Sequence, residues 1–513
     1  MTTVSSPSPR VATTSQAAAA SSRPLLAFVG YLAFLAASGV ILSALAVEPV
    51  PTGALLLTMT LLAVCLLPLT IWQAGQHQGA PMFELVCVAF AAAYAVPVFL
   101  IQNGIQNFNQ FTYLDWGVTA RALGFVVMGV TAMISGYYLL PRLPLGHWLP
   151  RTDLPLPPLQ LRKFLWFALG VAGGLRVVER LTSAVWGRGL TAAVTTVLSL
   201  LIATGVAVLA YRLFRTGGIM FRGGRLLFYA VLAGAGALGL GTGMLEVAFL
   251  PLVVVFVARW HASRRFPVAW MLGGGLAFLL LHAAKSEYRS EVWVSSKEYT
   301  LVEQIEAWAR TSATVVESLA TAEGVSAVFQ RTFYRLDLIH TFAHVLDMTP
   351  SHLPHYGGVT YEYLLYGWIP RILWPDKPVA HAANDLFSVD YGLLLESQID
   401  STQMGIGFVA EAYANYGLLG VVVVMFLIGC LFGGAHVMFN GPDSDGGRAA
   451  YIAVLAFYLN GIGSATAMFV FFGIHGFITL PLILRFFSGR WRASEPSSQP
   501  ARVQKGMVPA GSV

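Results

Sequence analysis

Apolar runs of about 20 residues, the length a helix needs to cross a hydrocarbon core of about 30 Å, recur from Leu25 to Arg485. In lipid a backbone must satisfy its own hydrogen bonds, so such runs are expected to be helices. The fold class that follows is all-α, a polytopic transmembrane helical bundle. Composition agrees: the chain is 56% hydrophobic and 11% charged, against about 25% charged for an ordinary soluble domain. The predicted spans are 24–47, 54–72, 83–101, 117–140, 164–185, 190–211, 226–241, 244–259, 268–284, 408–439, 449–467 and 469–487, about twelve in all.

Lysine and arginine set the orientation. Arg142, Arg151, Arg162 and Lys163 precede the fifth span, Arg212, Arg215, Arg222 and Arg225 follow the sixth, and Arg259, Arg264 and Arg265 follow the eighth. Loops 48–53 and 102–116 contain neither residue type, and Arg485, Arg490 and Arg492 flank the last span. Both termini are therefore expected in the cytoplasm. The resulting division is a disordered tail (1–23), an N-terminal bundle of about nine spans (24–284), one large extracytoplasmic loop (285–407), about three C-terminal spans (408–487) and a second disordered tail (488–513).

The net charge of +6 does not indicate nucleic acid, because the basic residues lie in short loops beside apolar runs. Cys65, Cys87 and Cys430 all fall inside such runs, which leaves no disulfide framework or CxxC metal pair in the loops. Arg176, Glu179 and Arg180 interrupt the fifth span, and mutual pairing is the favoured reading of these intramembrane ions.

A loop as long as 285–407 usually carries function. Its segment Thr300–Thr321 sets Leu301, Val302, Ile305, Trp308 and Ala309 along one face, as in a helix lying on a membrane surface. A second helix is predicted from Val328 to Met348, stopping before Pro350. Three clusters of charge accompany the loop: Lys285 with Arg289; Arg331 with Arg335, one helical turn apart; and the stretch IPRILWPDKP (369–378), which holds Arg371, Asp376 and Lys377. Arginine forks and lysine point charges suit the oxygens of a diphosphate. The same residues also suit juxtamembrane anchoring and ordinary ion pairs.

Asp337, His340, His344 and Asp347 share one face of the predicted helix. That spacing can hold a metal, but two histidines flanked by aspartates also make a satisfied polar face, and no metal is expected. Downstream, GIGFVAEAYANYGLLG (405–420) sets Glu411 and Asn415 on one face, with Gly417 and Gly420 allowing close helix approach. A carboxylate at the head of a membrane helix beside an arginine-rich loop suits a general base. Alternatively, it is a first-turn charge favoured by the helix dipole.

At these residues the chain resembles the O-antigen polymerase family, the oligosaccharide repeat-unit polymerases of bacteria. The resemblance rests on YGGVTYEYLLYGWIPRILWPDKP (356–378) followed by GIGFVAEAYANYGLLG, both on a polytopic chain with one large late loop, and its strong part covers about a fifth of the sequence. Where the family often has a Ser-Arg pair, GLGTGMLEVAF (239–249) has Glu246 and no arginine.

The resemblance implies a multi-pass enzyme of the bacterial inner membrane. It would move a growing glycan from undecaprenyl diphosphate onto another lipid-linked repeat unit at the periplasmic face, without metal or cofactor. Glu411, Arg371 and Asp376 then form the candidate catalytic set, and Arg289, Arg331, Arg335, Arg371 and Lys377 the candidate diphosphate-binding set. Lipid-linked glycan donor and acceptor, the bilayer, a flippase and a chain-length regulator are the expected partners. An O-antigen ligase, a transporter or flippase for the same lipids, and a scaffold of an export complex are the competing classes.

Overall fold

The computed structural model describes residues 14–488 apart from 76–78, 108–109, 152–157, 172, 176–187, 217–223, 242–244, 264, 294–298, 368, 370–372, 375, 380, 400–403 and 442–444. The chain is all-α except for one hairpin among the described residues. Its first half runs α1 (Thr14–Ala44), α2 (Thr52–Gln73), α3 (Met82–Tyr94), β1 (Gly104–Asn107), β2 (Gln110–Tyr113), α4 (Trp116–Leu139), α5 (Pro158–Leu165), a π-helical turn (Trp166–Val171), α6 (Arg188–Thr216) and α7 (Gly224–Gly241). It continues with α8 (Leu245–Ser263), α9 (Val268–Trp293), α10 (Leu301–Ser318), α11 (Ala322–Leu336), α12 (Ile339–Met348), α13 (Ala382–Asp390), α14 (Phe408–Phe439), α15 (Asp445–Asn460) and α16 (Thr466–Ser488).

Among the described residues, six helical stretches are long and apolar enough to cross a membrane: Leu26–Ala44, Thr52–Gln73, Met82–Leu100, Trp116–Arg142, Val268–Trp293 and Phe408–Phe439. Shorter apolar helices cover Leu198–Phe214, Phe228–Ala237, Ala248–Ser263 and Gly476–Phe487. Leu56, Leu272 and Leu427 stay exposed on these helices, which suits lipid as the solvent. Arg176, Glu179 and Arg180 lie outside the described residues.

The main core is organised on α14, which packs along α4. Small residues set the spacing: a Cβ on Gly136 would lie 2.3 Å from the Phe426 carbonyl oxygen, and one on Gly433 would lie 2.7 Å from that of Tyr137. Gly429 meets the Met133 backbone in the same way. This is the small-residue packing of membrane helices. It is not made by the glycines singled out for it above, since Gly417 breaks the helix and a Cβ on Gly420 would meet the carbonyl of Ala412 in its own chain segment.

A second, smaller core joins α8 to α11 through Leu245, Ala283, Tyr288, Trp308, Val315 and Val328. Trp308 carries much of it. Its ring stacks on Tyr288 with centroids 4.2 Å apart, and its indole N–H donates to the Leu240 carbonyl at 2.8 Å.

Four local expectations need correction. Loop 102–116 contains a hairpin, with Gly104 paired to Tyr113 and Asn107 to Gln110; alternating β-formers close it, and Asp115 then caps α4 through the Gly117 N–H at 2.8 Å. The helix expected to end at residue 284 continues to Trp293, carrying Lys285 and Arg289 with it. The surface helix starts with a Thr300–Glu303 capping box, but it buries Ala307, Trp308 and Val315 while leaving Val302 and Ile305 exposed. Finally, the helix expected over 328–348 is two helices, because Asp337 takes an extended conformation (φ −75°, ψ 99°) between α11 and α12.

Candidate functional site

The head of α14 is built by a change of direction at Gly407, whose φ of 73° suits glycine. Its N–H donates to the Gly463 carbonyl at 3.1 Å, tying the start of α14 to the turn between α15 and α16. One turn on, Glu411 is fully buried. Its Oε2 accepts the N–H of Thr466, the first residue of α16, at 2.5 Å. Two helix N-termini therefore face one carboxylate, and their dipoles partly compensate its burial. Oε1 has no well-formed hydrogen bond, although the Thr466 and Thr360 hydroxyls lie near the carboxylate.

Beyond Glu411 the helix breaks at Tyr416 and Gly417, the latter at φ 63° and ψ −152°. This region is open essentially to glycine alone. The carbonyls around the break are taken up by the loop: Tyr356 N–H donates to Ala414 at 3.0 Å and Gly357 N–H to Asn415 at 3.2 Å. The Asn415 side chain completes the clamp, accepting from Gly358 N–H at 2.9 Å and donating to Thr360 Oγ1 at 2.7 Å and to the Glu411 carbonyl at 2.8 Å. Tyr361 adds a phenol sealed from solvent. Burial, then the Glu411 carboxylate, hold its pKa well above the ordinary tyrosine value, so it remains an O–H donor at neutral pH.

The basic residues assemble elsewhere. On α9, His282, Lys285 and Arg289 follow spacings of three and four and share one face, and α11 packs beside them with Arg335. The charges of Lys285, Arg335 and Arg289 all act on the His282 imidazole. The Arg289 guanidinium also lies 4.1 Å from the Trp293 ring centroid. Arg331 faces Glu287 across the same helix pair at 3.0 Å, with both side chains about half exposed.

The described part of IPRILWPDKP is tied from inside by its lysine. Lys377 is buried, and its Nζ donates to the Gly367 carbonyl at 2.9 Å and the Ile369 carbonyl at 2.8 Å. Asp376 is exposed, and Trp374 packs on Tyr366 with centroids 5.6 Å apart. Arg371 lies outside the described residues.

Asp337 and His340 form a buried pair, Nδ1 to Oδ2 at 2.7 Å, while Asp337 Oδ1 accepts the His340 backbone N–H at 3.1 Å. His344 instead donates from Nε2 to the Tyr391 carbonyl at 2.9 Å, and burial holds its imidazole below the usual histidine range. Asp337 thus pairs with His340 from the break ahead of α12, while His344 is taken up by a different partner. Among the described residues, no three His, Cys, Asp or Glu side chains gather as metal ligands would.

The structure therefore brings Glu411 together with Thr360, Tyr361, Asn415 and Thr466, and sets Arg289 and Arg335 both near His282. The chain links the two regions: Leu338, three residues after Arg335, lies against both Gly407 and Gly463. Sequence reasoning missed His282, whose i, i+3 relation to Lys285 was available once α9 was continued past residue 284. Thr466 and Tyr361 had no such signal. Arg121, on α4, was also missed and lies near enough to Tyr413 to act on it electrostatically.

A family model described as "Domain of unknown function (DUF8712)" matches residues 186–437, a stretch that includes the basic cluster, the proline-rich turn and Glu411. No curated protein and no solved structure matches the chain.

Proposed function

We propose that this protein is a membrane glycosyltransferase that polymerises undecaprenyl-diphosphate-linked oligosaccharide repeat units at the outer face of the bacterial inner membrane. In this reading about twelve spans leave both termini in the cytoplasm. The observation that carries it is Glu411, a buried carboxylate with one oxygen held by Thr466 N–H and the other without a well-formed partner.

Glu411 takes the proton of an acceptor sugar hydroxyl. The hydroxyl oxygen attacks the anomeric carbon of the donor glycan, and the bond from that carbon to the diphosphate oxygen breaks. The leaving lipid diphosphate carries away the bonding pair, and cations aimed at that charge stabilise the transition state. Lys285, Arg289 and Arg335, together with Arg371, supply them. Lys377 contributes by holding the Gly367 and Ile369 carbonyls, while Tyr361 and Asn415 hold the carboxylate's surroundings in place.

The test is reconstitution of the purified protein in liposomes with a lipid-diphosphate-linked repeat unit. A ladder of longer lipid-linked glycans is the expected product. Transfer of unextended units from one leaflet to the other would replace this reading with a flippase, and transfer only onto a lipid A core acceptor would replace it with a ligase.

A further inference from the structure

At the junction of α5 and the π-helical turn, a surface cavity of about 710 Å³ is lined by Arg162, Lys163, Trp166, Phe167, Gly170 and Val171. Arg162, Lys163, Trp166, Gly170 and Val171 are exposed and follow helical spacing along one side. Beyond the lining residues, Gly173 and Gly174 are also bare, since a Cβ on either would meet nothing within 4 Å. Behind it the aromatic wall is fixed, with Phe167 and Phe164 both packed on Phe487 of α16 at centroid distances of 5.2 and 5.6 Å. A π-helical turn widens the backbone at this point, a distortion common at binding sites.

Two cations at one end of an aromatic and glycine-lined groove suit an anionic head joined to an apolar tail. We infer that this cavity binds an anionic phospholipid of the phosphatidylglycerol class. Its phosphate sits on Arg162 and Lys163, its glycerol lies against Trp166, and an acyl chain runs over Gly170, Gly173 and Gly174. Arginine offers the phosphate a two-point contact, and charge complementarity sets this ligand apart from a zwitterionic lipid. The site is separate from Glu411 and from the basic cluster, so it stands or falls independently of the proposed reaction.

The experiment is native mass spectrometry of the purified protein exchanged into mixed phosphatidylcholine and phosphatidylglycerol micelles. Wild type should retain phosphatidylglycerol in preference to phosphatidylcholine. A Lys or Arg near a lipid surface contributes about 1 kcal/mol, so R162Q/K163Q should weaken that preference about 25-fold. Gly170→Leu keeps both charges but fills the floor, and should also release the lipid; Arg162→Lys should retain most of it. Equal retention of the two lipids by wild type would overturn the inference, as would an unchanged preference in R162Q/K163Q. Displacement of phosphatidylglycerol by millimolar inorganic phosphate would reassign the site to a free anion, and loss of lipid coupled to dimer formation would reassign it to a second copy of this chain.

Discussion

Glu411 and the α9–α11 cluster both carry charge, but they hold it differently. Glu411 is buried among Thr360, Asn415 and Thr466, and one carboxylate oxygen is held by the Thr466 backbone N–H, a donor fixed in place by its helix. By contrast, Arg331 meets Glu287 while both remain about half exposed, and Arg310 meets Glu291 at 2.7 Å in a similar setting. A buried group acts in a low dielectric where each contact counts heavily, whereas exposed pairs are screened and exchangeable. The difference is why the proposed reaction puts the step needing one fixed geometry at the head of α14. In the same proposal, capture of a charged lipid head falls to the more exposed side chains between α9 and α11.

The contrast can be broken or sharpened by substitution. The largest effect is expected for Glu411→Gln, which should lower the rate of glycan extension about 10²- to 10⁴-fold, the usual contribution of a general base. Arg335→Ala should come next, raising the lipid-substrate KM about tenfold to a hundredfold as charge-assisted hydrogen bonds of about 1.5–3 kcal/mol are lost. That loss should shrink as salt is added, a dependence the Glu411 variant should lack.

Gly417→Ala should act on stability, at about 1–3 kcal/mol, because φ 63° with ψ −152° strains any residue carrying a Cβ. A lower thermal midpoint in detergent would register it, and an unchanged midpoint would mean that the break in α14 is not obligatory. Arg331→Ala should have the smallest effect, since exposed pairs contribute about 0–1 kcal/mol. A severe loss of extension in that variant would move Arg331 from ion pair to substrate contact.

Much of the bundle was legible because hydropathy over about 20 residues is a strong, local signal. Glu411 and Asn415 were legible for a related reason, since four-residue spacing holds in any helix. What escaped depended on contacts distant in sequence. Thr466 reaches Glu411 across 55 positions, and no local pattern announces it. The break at Asp337 was hidden because Val328–Met348 is periodic throughout, and only the pairing of Asp337 with His340 ends one helix and begins the next. Lys377 was read as a phosphate contact from its charge, whereas its Nζ closes the turn through two backbone carbonyls.

The most direct measurement is single-turnover extension by Glu411→Gln with lipid-linked substrate already bound. Glutamine keeps the volume and can still accept the Thr466 N–H, so the variant separates a proton acceptor from a structural clasp between α14 and α16. The predicted result is substrate affinity and thermal stability near wild type, with single repeat units remaining on the lipid in place of a ladder. A ladder of normal length and rate from a well-folded Glu411→Gln protein would contradict the assignment and leave Glu411 as a helix clasp.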